Sequence, residues 1–289
     1  MQIVGLTNNS FIDYPGHIAM VLFVAGCNMN CYYCHNRDII GNSKSNIIYA
    51  PDLIIKGLEE KKDFLDGVVI TGGEPTIHAN LPDFIRKLKR PVPEPKAVKF
   101  LAQFTNNLCR SSIEGVSLLN RRSLLLANLA QKFPRFGFWD RSKEKTSMLV
   151  KLDTNGTNPK MLEDLMQENL IDFVAMDIKA PKEKYNEICG AKIDISDIEK
   201  SINIIKNSGI DYEFRTTFAP SLDEKDIIKI VKWISKNGPV KKYVLQQYRI
   251  PDVKLIDNRL SLQPHSKEYL LEMLQKVKLI IPNTIIRGV

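Results

Sequence analysis

The sequence predicts an α/β fold built on a mostly parallel sheet. Two observations carry this. Six apolar runs of strand length alternate with stretches of helical periodicity, which implies parallel strands and right-handed crossovers. The polar residues with chemical potential also cluster just past the C-terminal ends of those runs, where sheets of this kind gather their sites.

Residues Gln2 to Tyr14 read as a short apolar lead-in, with Thr7-Asn8-Asn9-Ser10 as a turn. Ile18 to Ala25 is a continuous apolar run suited to a strand covered on both faces. A cysteine-rich loop follows, then a helix from Ala50-Pro51-Asp52 through Glu60, with Leu53, Ile54, Gly57 and Leu58 at helical spacing. Gly67 to Thr71 is the second strand, followed at once by Gly72-Gly73-Glu74-Pro75, and Leu81 to Leu88 is a helix.

The alternation stops at Arg90. Pro91-Val-Pro-Glu-Pro95 is a stiff punctuation, and the rhythm returns only at Met148. This divides the chain into one domain of residues 1–90 and 148–289, interrupted by an insertion of residues 91–147. Within the insertion, Leu118 to Phe133 has the spacing of an amphipathic helix.

Beyond the insertion, a strand from Met148 to Asp153 runs into Thr154-Asn155-Gly156. Asn-Gly ordinarily announces a hairpin. Here Asn158-Pro159, an N-cap and a first helical residue, selects strand–turn–helix instead, with a helix to about Asn169. Then come a strand Phe173 to Lys179, a helix from Pro181 to Ile188, and a helix Ile195 to Asn207. Strand Ile210 to Phe218, helix Lys225 to Lys236, strand Lys241 to Tyr248, a helix Ser266 to Val277 and an apolar end Leu279 to Ile286 complete the chain.

Composition bounds the function classes. The chain has 289 residues, 44% of them hydrophobic, enough for a sizeable core. No run approaches the roughly 18–20 apolar residues of a membrane span, and Met1 to Gly16 lacks the basic and apolar regions of an export signal. Five cysteines, an odd number with three clustered, argue against a disulfide framework and for a reducing compartment; the expected location is the cytoplasm. The formal net charge is +8, but from Arg90 to Met148 there are eleven Lys/Arg against four Asp/Glu, so the rest of the chain is nearly neutral. The inserted segment alone is basic. A nucleic-acid partner or an acidic docking partner is therefore a property of that segment, if of any, and a solvated insertion is the simpler reading.

The chemistry centres on Cys27-Asn-Met-Asn-Cys31-Tyr-Tyr-Cys34-His35-Asn36, three cysteines at C-x3-C-x2-C spacing directly after the first strand. A closed structural zinc site wants four protein ligands, as does an ordinary electron-transfer iron–sulfur cluster. Three thiolates leave one position open. Cys31-Tyr-Tyr-Cys34-His35 is formally a haem-attachment motif, but that attachment belongs to an exported setting. His35 could complete a zinc site only from a position adjacent to Cys34, without the usual second spaced pair. Cys189 follows a helix and reads as core, Cys109 lies in the insertion, and His78 reads as decorating a helix start.

This stretch, with the aromatic Tyr33 before the third cysteine, resembles the signature of the radical S-adenosylmethionine (SAM) superfamily. Asp13-Tyr14-Pro15-Gly16 through Cys34-His35-Asn36 looks like its glycyl-radical-enzyme activase branch, above all the activating proteins of anaerobic ribonucleoside-triphosphate reductases. The resemblance sharpens the fold to an incomplete (β/α)6, TIM-like radical SAM barrel with an inserted basic segment. It implies a [4Fe–4S] cluster on Cys27, Cys31 and Cys34 whose fourth iron is open to SAM, with no side-chain acid or base needed for catalysis. It implies SAM contacts at Tyr33, at Gly72, Gly73, Glu74 and Pro75 around the amino group, and at Asp153, Asn155, Asp177 and Lys179 around the ribose and carboxylate. Arg215 shares a strand face with Thr217 and could pair with a cofactor carboxylate or with a neighbouring acid. Gln246-Gln247-Tyr248 could face the mouth of the site.

The expected activity is reductive cleavage of SAM to a 5′-deoxyadenosyl radical and formation of a glycyl radical on a protein partner, with a flavodoxin or ferredoxin as electron donor. Another glycyl-radical enzyme of the pyruvate formate-lyase kind, or a small molecule or RNA, is the alternative substrate. A non-enzymatic iron–sulfur carrier or regulator is the alternative of a different class, and it would need a fourth ligand.

Overall fold

The structure, a computed structural model, describes residues 1–40, 48–89, 148–250 and 263–289. The inserted segment, its amphipathic stretch and Cys109 lie outside the described residues. Residues Met1–Lys89 and Met148–Val289 form one compact unit.

That unit is a single eight-stranded sheet in strict chain order: β1 (Ile3–Ser10), β2 (Ala19–Val24), β3 (Gly67–Gly72), β4 (Leu149–Thr154), β5 (Phe173–Asp177), β6 (Asp211–Phe218), β7 (Tyr243–Gln247) and β8 (Thr284–Arg287). β1 pairs antiparallel to β2, and every later pair is parallel. Among the described residues β8 does not pair with β1, so the sheet curls into a partial, laterally open barrel. Helices α1 (Arg37–Ile40), α2 (Pro51–Glu60), α3 (Leu81–Lys89), α4 (Pro159–Gln167), α5 (Tyr185–Cys189), α6 (Ile195–Asn207), α7 (Glu224–Ser235) and α8 (Lys267–Lys278) supply the crossovers.

All six expected strands form, and the structure adds two. Thr7 to Ser10 is not a turn but the end of β1. Its exposed polar residues suit an edge strand, and two register irregularities against β2 erase the alternation by which a strand is recognised. The apolar C-terminal run holds β8, only four residues long. The expected strand to Lys179 stops at Asp177. The expected single helix from Pro181 splits into a 3₁₀ turn, Lys182–Lys184, and α5.

Two apolar layers follow from the pleat. Alternate residues such as Leu22, Val68, Ile70, Val150, Leu152, Val174 and Met176 face outward and form the main core with the helices. The opposite face makes a small inner cluster of Tyr14, Ala19, Val21, Val69, Phe173 and Ala175 at the N-terminal end of the barrel. Above that plug the inner face turns polar.

Candidate active site

The cysteine loop leaves β2 at Ala25 and is fastened on both sides before any chemistry is considered. On one side the Asn30 N–H donates to the Cys189 carbonyl at the end of α5 at 2.8 Å. On the other, Asn155 Nδ2 donates to Asn28 Oδ1 at 2.9 Å, and Asn28 Nδ2 to Thr157 Oγ1 at 2.7 Å. Arg37 holds the Cys31 carbonyl, and Asn36 reaches across to the Gly72 carbonyl.

The glycine pair ending β3 is required by closeness. Gly72 has φ +115°, and a Cβ on Gly73 would collide with the Gly26 carbonyl. Glu74 follows, fully buried. Its Oε1 accepts from the Thr76 N–H (3.0 Å), the Thr76 hydroxyl (2.6 Å) and the Thr154 hydroxyl (2.8 Å), and its Oε2 from the Asn155 N–H (2.6 Å). Burial pushes its carboxyl up against these donors. Glu74 is thus a tie between the tips of β3 and β4, with little of its carboxylate left for a ligand's amino group. Pro75 is buried at the start of the following 3₁₀ turn and does not line the cavity. The Asn155 side chain is likewise committed, to Asn28 and to the Thr157 hydroxyl.

Inside the barrel runs a ladder of charges. Lys151, almost fully buried, pairs with Asp153; Arg215 donates from Nη1 to Asp153 at 3.2 Å and from Nε to Asp177 at 2.7 Å; Lys179 donates to Asp177 at 2.9 Å. Burial alone would push both carboxyls up, but Arg215 and the flanking lysines outweigh it, and both titrate below the usual carboxylate range. Of the two partners open to Arg215, the neighbouring acids are the ones observed. Lower in the barrel Glu213 is enclosed by Arg287 and Lys242. His78, between its 3₁₀ turn and α3, pairs with the Ala25 carbonyl.

These elements enclose one cavity of about 240 Å³. Its wall includes Cys27, Cys31 and Cys34, Tyr33, Gly72, Gly73 and Glu74, Asp153 and Asn155, Asp177 and Lys179, and Arg215. Every expected site residue except Pro75 is therefore on one surface. His35, Asn36, Thr71, Thr154, Thr217 and Gln246 complete the polar lining. Nothing local in the sequence marks Asn28, Asn36 or Arg37 as loop anchors, since each acts through a contact distant in sequence or on a backbone carbonyl.

The residues fit the group that such a signature implies. Three thiols share the wall of one cavity, the donor type by which iron–sulfur clusters are held. The Tyr33 hydroxyl is buried without a hydrogen-bond partner among the described residues. Burial pushes the Cys27 thiol up to about 11 and raises Cys34, whereas the adjacent Cys189 thiol draws Cys31 down to about 7. Cys189 stays in the core behind Cys31, off the cavity wall.

A family model described as the Radical SAM superfamily matches residues 21–234. A protein of Methanocaldococcus jannaschii, named provisionally as a glycyl-radical enzyme activating enzyme, is 30% identical over 293 residues, 99% of this chain and 95% of that one. The pyruvate formate-lyase-activating enzyme of Streptococcus mutans is 37% identical over 84 residues, 26% of this chain and 32% of that one. Among solved structures, Streptococcus suis SuiB bound to S-adenosylmethionine superposes with a TM-score of 0.56 at 12% identity, over 93% of this chain and 52% of that one, a likeness of fold. No helix among the described residues is long and apolar enough to cross a membrane.

Proposed function

The chain belongs to the radical SAM superfamily, and from that premise we propose that it activates a glycyl-radical enzyme, with an anaerobic ribonucleoside-triphosphate reductase as its protein partner. The observation that carries the reading is the meeting of three thiols with Asp153, Asp177, Lys179 and Arg215 around one cavity.

In this reading Cys27, Cys31 and Cys34 hold a [4Fe–4S] cluster. Bound there, the group would supply the one electron needed to cleave SAM to methionine and a 5′-deoxyadenosyl radical, the species that would take a hydrogen atom from a glycine Cα–H bond. The protein's own part is positioning and exclusion of water. Asp153 and Asp177, kept ionised by Arg215, accept hydrogen bonds from the ribose diol or the amino group, and Lys179 offers a cation to the carboxylate. Tyr33 lends its ring and free hydroxyl to the wall. Glu74 and Asn155 serve by holding the tips of β3 and β4 against the cysteine loop. The electron comes from a flavodoxin or ferredoxin, and residues 91–147 are an insertion outside this chemistry.

A partner of the pyruvate formate-lyase kind is the second reading, favoured by the local identity to its activase. The test is anaerobic. After reconstitution and reduction, the wild type should form 5′-deoxyadenosine and the Cys27→Ala variant should not; equal yields from the two, or none from wild type, would sink the mechanism. A glycyl EPR doublet with one partner and not the other then decides between the two readings.

A further inference from the structure

Inside the cavity the lysine and arginine side chains are paired with carboxylates. Lys151 pairs with Asp153, Arg215 with Asp153 and Asp177, and Lys179 with Asp177. Arg37, just past the cysteine loop, is the exception: among the described residues it meets no acid. It is the first residue of α1, and the Gly26 N–H ties that short helix to the start of the loop, donating to the Ile39 carbonyl at 2.8 Å. Arg37 Nη2 donates to the Cys31 carbonyl at 3.1 Å, and its Nε–H is buried without an acceptor among the described residues. Its charge also reaches the Cys34 thiol, where it opposes the upward push of burial.

A half-buried guanidinium with an unbonded N–H is costly unless something negative stands beside it. Holding one carbonyl explains neither the charge nor the spare donor, since a neutral amide would hold that carbonyl as well. Cysteines bound to iron as thiolates supply the missing partner. A four-iron group on three thiolates is anionic, and more so after it takes up an electron. Hydrogen bonds and net charge around such a group are among the levers that set its reduction potential.

We infer that Arg37 is a positioning residue for the cluster that the proposed function assigns to Cys27, Cys31 and Cys34, raising its reduction potential as counter-charge and N–H donor without being a ligand. This rests on that reading and goes beyond it. One side chain then couples the set of the cysteine loop to the ease with which the electron is received.

The test is a redox titration of the reconstituted protein without SAM, followed by the EPR signal of the reduced cluster, with iron content as the measure of loading. Arg37→Gln keeps an N–H for the Cys31 carbonyl and loses the charge. At a fixed potential its ratio of reduced to oxidised cluster should fall about tenfold, near the lower end of what a hydrogen bond to a charged group is worth. For a one-electron couple that is a midpoint about 59 mV more negative. Arg37→Lys, which restores the charge, should recover most of the shift. A midpoint unmoved in Arg37→Gln, or moved as far in Arg37→Lys, would overturn the assignment and leave Arg37 a clamp on the loop. Where Arg37→Gln holds too little iron to titrate, loading restored by Arg37→Lys supports the role of the charge, and loading lost in both overturns it. A wild type that holds no cluster would sink the proposed function itself, whereas a wild type that titrates beside unmoved variants sinks this inference alone.

Discussion

A Cβ on Gly73 would lie 1.7 Å from the Gly26 carbonyl oxygen, so the tip of β3 and the start of the cysteine loop touch backbone to backbone. The Glu74 N–H makes the contact a hydrogen bond, donating to that same carbonyl at 2.9 Å. Gly73→Ala must therefore push the loop away from the cavity. We expect a loss of about 1–3 kcal/mol in stability, as for overpacked sites, and a marked fall in iron bound after reconstitution. Thermal unfolding and iron analysis check this, and wild-type iron loading would show that the contact does not set the loop.

Arg215 is the hub of the charge ladder, with its guanidinium shared between Asp153 and Asp177. Arg215→Ala leaves two acids crowded in the barrel with only their lysines. Breaking a buried ionic pair on one side costs about 3–5 kcal/mol. Denaturant unfolding should show a loss of that order, and Arg215→Lys should recover only part of it, because an ammonium lacks the planar fork that reaches both acids.

Acid should act through Glu213 as well. Burial alone would raise this carboxyl, but Arg287, Arg215 and Lys151 outweigh burial and hold it below its ordinary value of 4.5. A depressed carboxyl contributes stability that is present above the unfolded value and is lost as pH falls through the folded one. The difference in unfolding free energy between wild type and Glu213→Gln should accordingly be largest at neutral pH and shrink below pH 4.5. A difference that stays constant into the acid range would mean that the pairing with Arg287 has no electrostatic weight.

Asn158 does two things at the start of α4. Its Oδ1 accepts from the Met161 N–H at 3.1 Å, and its Nδ2 donates to the Thr76 carbonyl at 2.7 Å. Asn158→Ala removes the cap and the tie to the 3₁₀ turn together, so the loss should be about 1–2 kcal/mol. Asn158→Asp keeps the cap but not the donor and should fall between the two.

Much of this arrangement is legible from local chemistry. The apolar runs of β2 to β7 declare themselves because both faces of a parallel sheet are covered, and Asn158-Pro159 overrides the hairpin signal of Asn155-Gly156 because it carries its own helix start. The thiol spacing and the acids of β4 and β5 sit where strand ends must place them. β1 was hidden because an edge strand with bulges keeps polar residues and loses its alternation, and β8 because four residues cannot show a period. The division of labour within the site was hidden too. Glu74 and Asn155 look like ligand contacts by residue type, and only the approach of β4 to β3 and to the cysteine loop reveals that, on the cavity wall, they also tie these segments together.

The anchoring of the cysteine loop at Asn28, Asn30 and Cys31 has one last consequence. In small zinc domains the metal pays for the folding of its own ligands. Here the loop is tied by hydrogen bonds to the end of α5, to the tip of β3 and to the turn after β4, so the fold of the barrel itself contributes to the order of the three cysteines.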